Sequence, residues 1–132
     1  MSIQQQIISY LASNGFGTKG YSLFVNEIPD NNNVSNNSIV ISSASGSMNK
    51  YVNDRISFFS VVIRNKTDNG ADLIFENLRG LLHQNKNCIR EFVAGGDLIK
   101  DIYIEDELNY VGKDVNNRYL YEFTLKLYYE RN

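Results

Sequence analysis

The chain carries one histidine, His83, and one cysteine, Cys88, close together in sequence. A Ser-His-Asp or Cys-His arrangement would have to draw on them, because the imidazole supplies the general base for nucleophilic attack. Neither lies in a nucleophile motif such as G-x-S-x-G. The simpler expectation is a helix-terminal histidine whose charge favours the dipole, and a small core cysteine in a strand. A lone cysteine also excludes an internal disulfide and a cysteine-rich zinc site. The acidic group Asp101, Glu105, Asp106 and Glu107 offers the oxygen ligands that Ca²⁺ or Mg²⁺ takes, but without the D-x-[DN]-x-[DN]-G spacing of a binding loop. It reads as a solvated strand end. Asp30 to Asn33 reads as a turn. Gly15, Gly17 and Gly20 follow a helix rather than a strand and lack the G-x-x-x-x-G-K-[ST] pattern, so they read as a helix stop. No catalytic, cofactor-binding or metal-binding residue is expected, and no cofactor.

Two further constellations concern surfaces. Lys50, Arg55, Arg64 and Lys66 flank a strand in which Tyr51, Phe58 and Phe59 are interleaved, the mixture of cations and rings used by single-strand nucleic-acid grooves. The competing reading places Phe58 and Phe59 in the core, one on each face of the strand. A balance of 13 basic against 15 acidic side chains, net charge −2, lacks the footprint of a dedicated nucleic-acid-binding module. Nine tyrosines point another way, since tyrosine gives large amphipathic contact area at low entropy cost. Four of them, Tyr119, Tyr121, Tyr128 and Tyr129, fall in one C-terminal segment, and strand propensity explains only part of that.

The elements that must position these residues follow from pattern. At 132 residues, 42% apolar and 21% charged, the chain is expected to form a single globular domain. Met1 to Leu11 has neither the basic nor the apolar region of a signal peptide, and no stretch approaches the ~20 apolar residues of a membrane span, so a soluble protein made in a cytoplasm is expected. Ser2 and Gln5 form a capping box, and Ile3, Ile7, Ile8 and Leu11 recur at helical spacing, which predicts a helix over about 2–13. Strands are expected at Tyr21 to Ile28 and Ser38 to Ser42, and Ser42 to Asn53 is expected to be a long mobile loop. Arg55 to Arg64, apolar on both faces, reads as a central strand covered on both sides. Asp68 is the expected cap of a second helix over about 69–84, whose stripe is Ala71, Ile74, Leu78, Leu81 and Leu82. Gly80 inside it suggests another backbone packed closely. Three strands are expected to follow, at Asn87 to Val93, Ile99 to Glu105 and Tyr119 to Tyr129, the last alternating cleanly. The fold class is therefore α+β, a mostly antiparallel sheet flanked by two helices.

Three stretches in this order resemble the phage tail terminator and minor capsid family. The first is the short helix, the strand Leu23-Phe24-Val25-Asn26-Glu27-Ile28-Pro29, a polar turn, and Ile39-Val40-Ile41 leading to Ser45-Gly46. The second is Val62-Ile63-Arg64-Asn65-Lys66, with Ala71 entering a helix that closes on Leu81-Leu82-His83. The third is Gly112-Lys113-Asp114, a turn, and Arg118-Tyr119 entering the last strand. The family often has a glycine pair at Ser45-Gly46 and a proline where this chain has Glu107-Leu108-Asn109.

The resemblance implies a structural virion protein of the tail neck, assembled in the bacterial host cytoplasm. It implies a homohexameric ring on the head-proximal end of the tail tube, which stops tube polymerisation and joins the head connector. Its partners would be further copies of itself, the tail tube protein and a head–tail connector or neck protein, with a sheath protein a further candidate. Genomic DNA would only pass through the lumen, and no membrane is involved. The residues expected at subunit or partner contacts are Ser45, Gly46, Met48, Lys50, Tyr51, Arg55, Arg64, Lys66 and Tyr128. Three other readings stay open: a different neck protein of the same particle, a small nucleic-acid-binding accessory module, and a metal-dependent enzyme using the Asp101 to Glu107 acids.

Overall fold

A computed structural model of the chain describes residues 2–27, 34–48, 54–83 and 98–130. The order is α1 (Ile3–Ser13), β1 (Leu23–Val25), β2 (Ser38–Met48), β3 (Asp54–Asn65), α2 (Asp68–Leu82), β4 (Leu98–Ile104), β5 (Asn109–Lys113) and β6 (Tyr119–Glu130). The strands form one six-stranded sheet in the order β1-β2-β3-β6-β4, with β5 also pairing β6. Every pairing is antiparallel except β1 with β2. The α+β class with two helices is as the periodicity predicts.

Both helices start where side chains can satisfy their first N–H groups. Ser2 Oγ accepts from the Gln5 N–H and the Gln5 side chain accepts from the Ser2 N–H, closing the capping box. In α2 the cap is Thr67 rather than Asp68: its hydroxyl accepts from the Gly70 N–H at 3.2 Å, and Asp68 sits in the first turn, where its charge favours the dipole. Gly70 has little choice of side chain, since a Cβ would meet Asn65 Oδ1 at 2.4 Å. No such constraint applies to Gly80, where a Cβ meets nothing within 4 Å; the close backbone expected there is absent among the described residues.

Cross-strand rows show which face is the core. Ile41, Val61 and Phe123 are direct neighbours across β2, β3 and β6, and Phe59, Leu125 and Ile104 across β3, β6 and β4. These residues join one apolar cluster with Ile3, Ile7 and Leu11 of α1 and Ala71, Phe75, Leu78 and Leu82 of α2. Both helices therefore lie on the same face of the sheet. Phe75 crosses Phe123 edge-to-face at 5.0 Å, a pair worth about 0.5–1.5 kcal/mol beyond its buried area. The expectation that β3 is covered on both sides is corrected: Phe59, Val61 and Ile63 are buried, whereas Ile56, Phe58 and Val62 on the other face are only half-buried. Phe58 accordingly is not a second core phenylalanine.

Strand lengths differ from expectation in three places. β1 is shorter than Tyr21 to Ile28, because Thr18 to Ser22 is occupied by turns closed by the Thr18 carbonyl. β2 is longer: Ser42 to Met48, expected as loop, continues the strand and pairs with β3 as far as Met48 opposite Arg55. Ladder hydrogen bonds come from the backbone, so a run of small polar residues extends a hairpin arm when its partner strand is strong. β5 was not expected at all. Asn87 to Val93, Cys88, and the Asp30 to Asn33 turn lie outside the described residues, as do Lys50 and Tyr51.

Candidate functional site

The face of the sheet turned away from the helices divides into two parts. At one end it is sealed by residues 34–38. Arg64 is 3% exposed there, and its guanidinium donates to the Ser35 carbonyl at 2.7 Å and the Ser38 hydroxyl at 3.3 Å. A buried arginine holding a loop is part of the chain's own framework rather than of its open surface. Lys66 follows it and is exposed, with its backbone N–H on Asn37 Oδ1 at 3.0 Å.

At the other end the face is open and carries cations among rings. Phe58, Lys126 and Tyr103 form one row across β3, β6 and β4; Ile56, Tyr128 and Asp101 form the next. Lys126 Nζ lies 5.7 Å from the Phe58 ring centre, and Lys100 Nζ lies 5.3 Å from that of Tyr128 and 3.7 Å from the Glu130 carboxylate. Such contacts hold the rings in place at modest gain, about 0.5–1 kcal/mol each when exposed. The Tyr103 hydroxyl donates to Asp101, and that hydrogen bond to a carboxylate raises its pKa above the ordinary tyrosine value. Half-exposed rings in fixed positions make a contact face.

The expected contact residues do not form one patch. Ser45, Gly46, Met48 and Arg55 come together on the paired arms of the β2–β3 hairpin, and Tyr128 adjoins them through Ile56. Arg64 and Lys66 lie at the opposite end of β3, about 30 Å away by strand rise. Gly46 has a structural reason of its own: a Cβ there would come 2.9 Å from the Ile56 carbonyl oxygen. Of the groups considered for chemistry, His83, Asp101 and Asp106 are engaged in the fold. His83 Nδ1 accepts from the Ile104 N–H at 2.9 Å, tying the end of α2 to β4. Asp106 Oδ1 accepts from the Thr124 N–H at 2.7 Å, standing in for the backbone carbonyl that β4 no longer supplies. Among the described residues no group of three His, Cys, Asp or Glu side chains could hold a metal ion. Among the described residues no helix is long and apolar enough to cross a membrane.

Two surfaces escaped the sequence reading. One is the β5–β6 hairpin. Its turn is closed by Asp114, which accepts from the Asn116 N–H at 2.9 Å, the Arg118 N–H at 3.0 Å and Arg118 Nε at 2.7 Å. Desolvation pushes the Asp114 carboxyl up, but the two backbone donors and the Arg118 guanidinium together outweigh it and hold the pKa below the ordinary value. Asn117 takes the left-handed conformation that the turn needs, with φ 60°. Val115 stands at the apex, 87% exposed. The signal was present in Asp114-Val115-Asn116-Asn117, a turn sequence between short strands.

The other surface is an apolar groove of about 400 Å³ between α1 and the edge strand β1, lined by Gln5, Ile8, Ser9, Lys19, Leu23 and Val25. Nothing in sequence marks it, because it depends on where a helix settles beside a three-residue strand.

Comparison with known proteins places these surfaces in context. No curated protein matches the chain. The model of one family, described as bacteriophage tail terminator protein, matches residues 10–131.

Proposed function

Because the chain belongs to the bacteriophage tail terminator family, we propose that it forms a ring that caps the tail tube, halts its polymerisation and joins it to the head connector. The observation that carries this reading is the family match over nearly the whole chain, which makes the protein a structural component of a phage tail. The geometry supports assembly in two ways. A flat contact face bearing Phe58, Lys126 and Tyr128 suits an axial partner, the tube or the connector. The outer edge of β5 has no strand neighbour among the described residues, and unpaired N–H and C=O groups at an edge are satisfied by pairing across a subunit boundary. Two different surfaces meeting head to tail give a heterologous contact, which closes into a ring when the rotation permits.

Light scattering on the purified chain, alone and mixed with assembled tail tubes, tests the proposal together with electron microscopy of the tube ends. A discrete ring on one end of each tube, with elongation stopped, is the expected result. A chain that stays monomeric in both mixtures, beside tubes that keep growing, overturns it.

A further inference from the structure

α2 turns Ala71, Phe75, Leu78 and Leu82 into the core, and its opposite side carries an exposed leucine and a hollow. Leu73 is 63% exposed, and Gly80, two turns on, stands where a Cβ meets nothing within 4 Å. Seven residues apart, the two fall within about 20° of one line along the helix. A glycine inside a helix is destabilising relative to Ala, and nothing among the described residues requires one at this position. What glycine does permit is the close approach of another chain, or the seating of a side chain directly against the helix backbone.

The residues on either side of this line are sorted. Asp72, Glu76 and Arg79 lie on one flank, all exposed, and none of them is in an ion pair among the described residues. Ile74 and Leu81 lie on the other flank, half-buried against the core. The acids stand N-terminal and the cation C-terminal, so the charged flank is complementary to itself when reversed. Laid antiparallel on its own copy, about a two-fold axis between Glu76 and Asn77, α2 brings Leu73 of each chain over Gly80 of the other. Such an axis keeps each flank on its own side. Arg79 of one chain then stands level with the interval between Asp72 and Glu76 of the other, and Ile74 meets Leu81. A parallel pair would instead set the charged flank of one chain against the apolar flank of the other. Exposed ion pairs add little affinity and chiefly fix direction and register; the apolar side chains supply the attraction.

Beyond the ring reading, we propose that the outward side of α2 is a separate self-association surface, through which two free copies of this chain pair antiparallel, Leu73 on Gly80 and Arg79 beside Asp72 and Glu76. The contact is isologous, the same patch on both chains, so it does not pass from neighbour to neighbour round a cyclic ring. It joins chains two by two, before a tube is met.

The test uses the full chain in the absence of tubes. Sedimentation of the unaltered chain shows pairing. Leu73→Asp weakens it about tenfold or more, leaves the melting temperature of the dilute chain unchanged, and still caps tubes. Gly80→Leu, a better helix former, also weakens pairing about tenfold or more, whereas a merely sticky surface would pair more tightly. Arg79→Glu pairs poorly alone, as does a chain carrying Asp72→Lys with Glu76→Lys; mixed, the two pair as the unaltered chain does. In a Cys88→Ser background, Asn77→Cys, beside the axis, links into a two-chain product on oxidation much faster than Val115→Cys at its exposed turn. An unaltered chain that stays monomeric at high concentration, pairing that ignores Leu73→Asp, or charge variants that fail to pair when mixed each overturns the contact and leaves the capping reading untouched. Loss of capping in Leu73→Asp, with no pairing of the free chain, assigns the surface to the tube protein and overturns it equally.

Discussion

Asp114 and Arg118 close the β5–β6 turn as a unit, the carboxylate taking the Arg118 Nε at 2.7 Å and the Arg118 N–H at 3.0 Å while the Arg118 side chain is only 5% exposed. Asp114→Ala removes the acceptor for three N–H groups and leaves that cation short of its closest partner. The expected cost is about 1–3 kcal/mol, read as a lower urea midpoint at unchanged slope. Asp114→Asn keeps part of the turn's hydrogen bonding and costs less.

The same carboxylate sets an acid dependence. Its folded pKa lies below the ordinary value, so its contribution to stability is complete above the unfolded pKa, about 3.9, and is lost as pH falls through the folded value. The difference in stability between the unaltered chain and Asp114→Asn therefore narrows below about pH 4 and is constant above about pH 5. Urea titrations of both at matched pH values measure it, and a difference that does not change with acid contradicts the assignment.

His83→Ala leaves the Ile104 N–H without its acceptor where α2 meets β4. A loss of about 1–2 kcal/mol is expected, together with faster amide exchange at Ile104. His83→Gln, which can present an oxygen to the same N–H, restores part of both.

Two glycines separate space from propensity. Gly46→Ala places a methyl group 2.9 Å from the Ile56 carbonyl oxygen and forces the hairpin arms apart, at about 1–3 kcal/mol. Gly80→Ala enters open space within a helix and stabilises by about 0.5–1 kcal/mol. Thermal melts of the two variants are expected to move in opposite directions.

These contrasts show what could be read from sequence. α1 was legible because a capping box and a four-residue apolar stripe are local signals. β6 was legible because Phe123, Leu125, Leu127 and Tyr129 alternate with half-buried neighbours. The outer half of β2 was not, since Ser42 to Met48 has little strand propensity and becomes strand only by pairing with β3. Thr67 and Asp68 both have cap chemistry, and only backbone geometry chooses between them. Arg64 was expected on a surface from its charge alone; its partners Ser35 and Ser38 lie 29 and 26 residues away. Of the candidate surface, the tyrosine-rich strand and the hairpin residues were in view. The Val115 turn was signalled by its own residues although the strand β5 before it was not, and the α1–β1 groove required the tertiary arrangement.

The break between Ile104 and Asn109 has a consequence for how such a protein can vary. β4 and β5 are two stretches on one edge of β6, and across the gap the Asp106 carboxylate takes over a ladder bond. The gap works as a slip joint. An inserted or deleted residue there would alter the reach of the β5–β6 tip while Ile99, Ile102 and Ile104 keep their places against the helices. A lineage can thus vary this connection without rebuilding the interior.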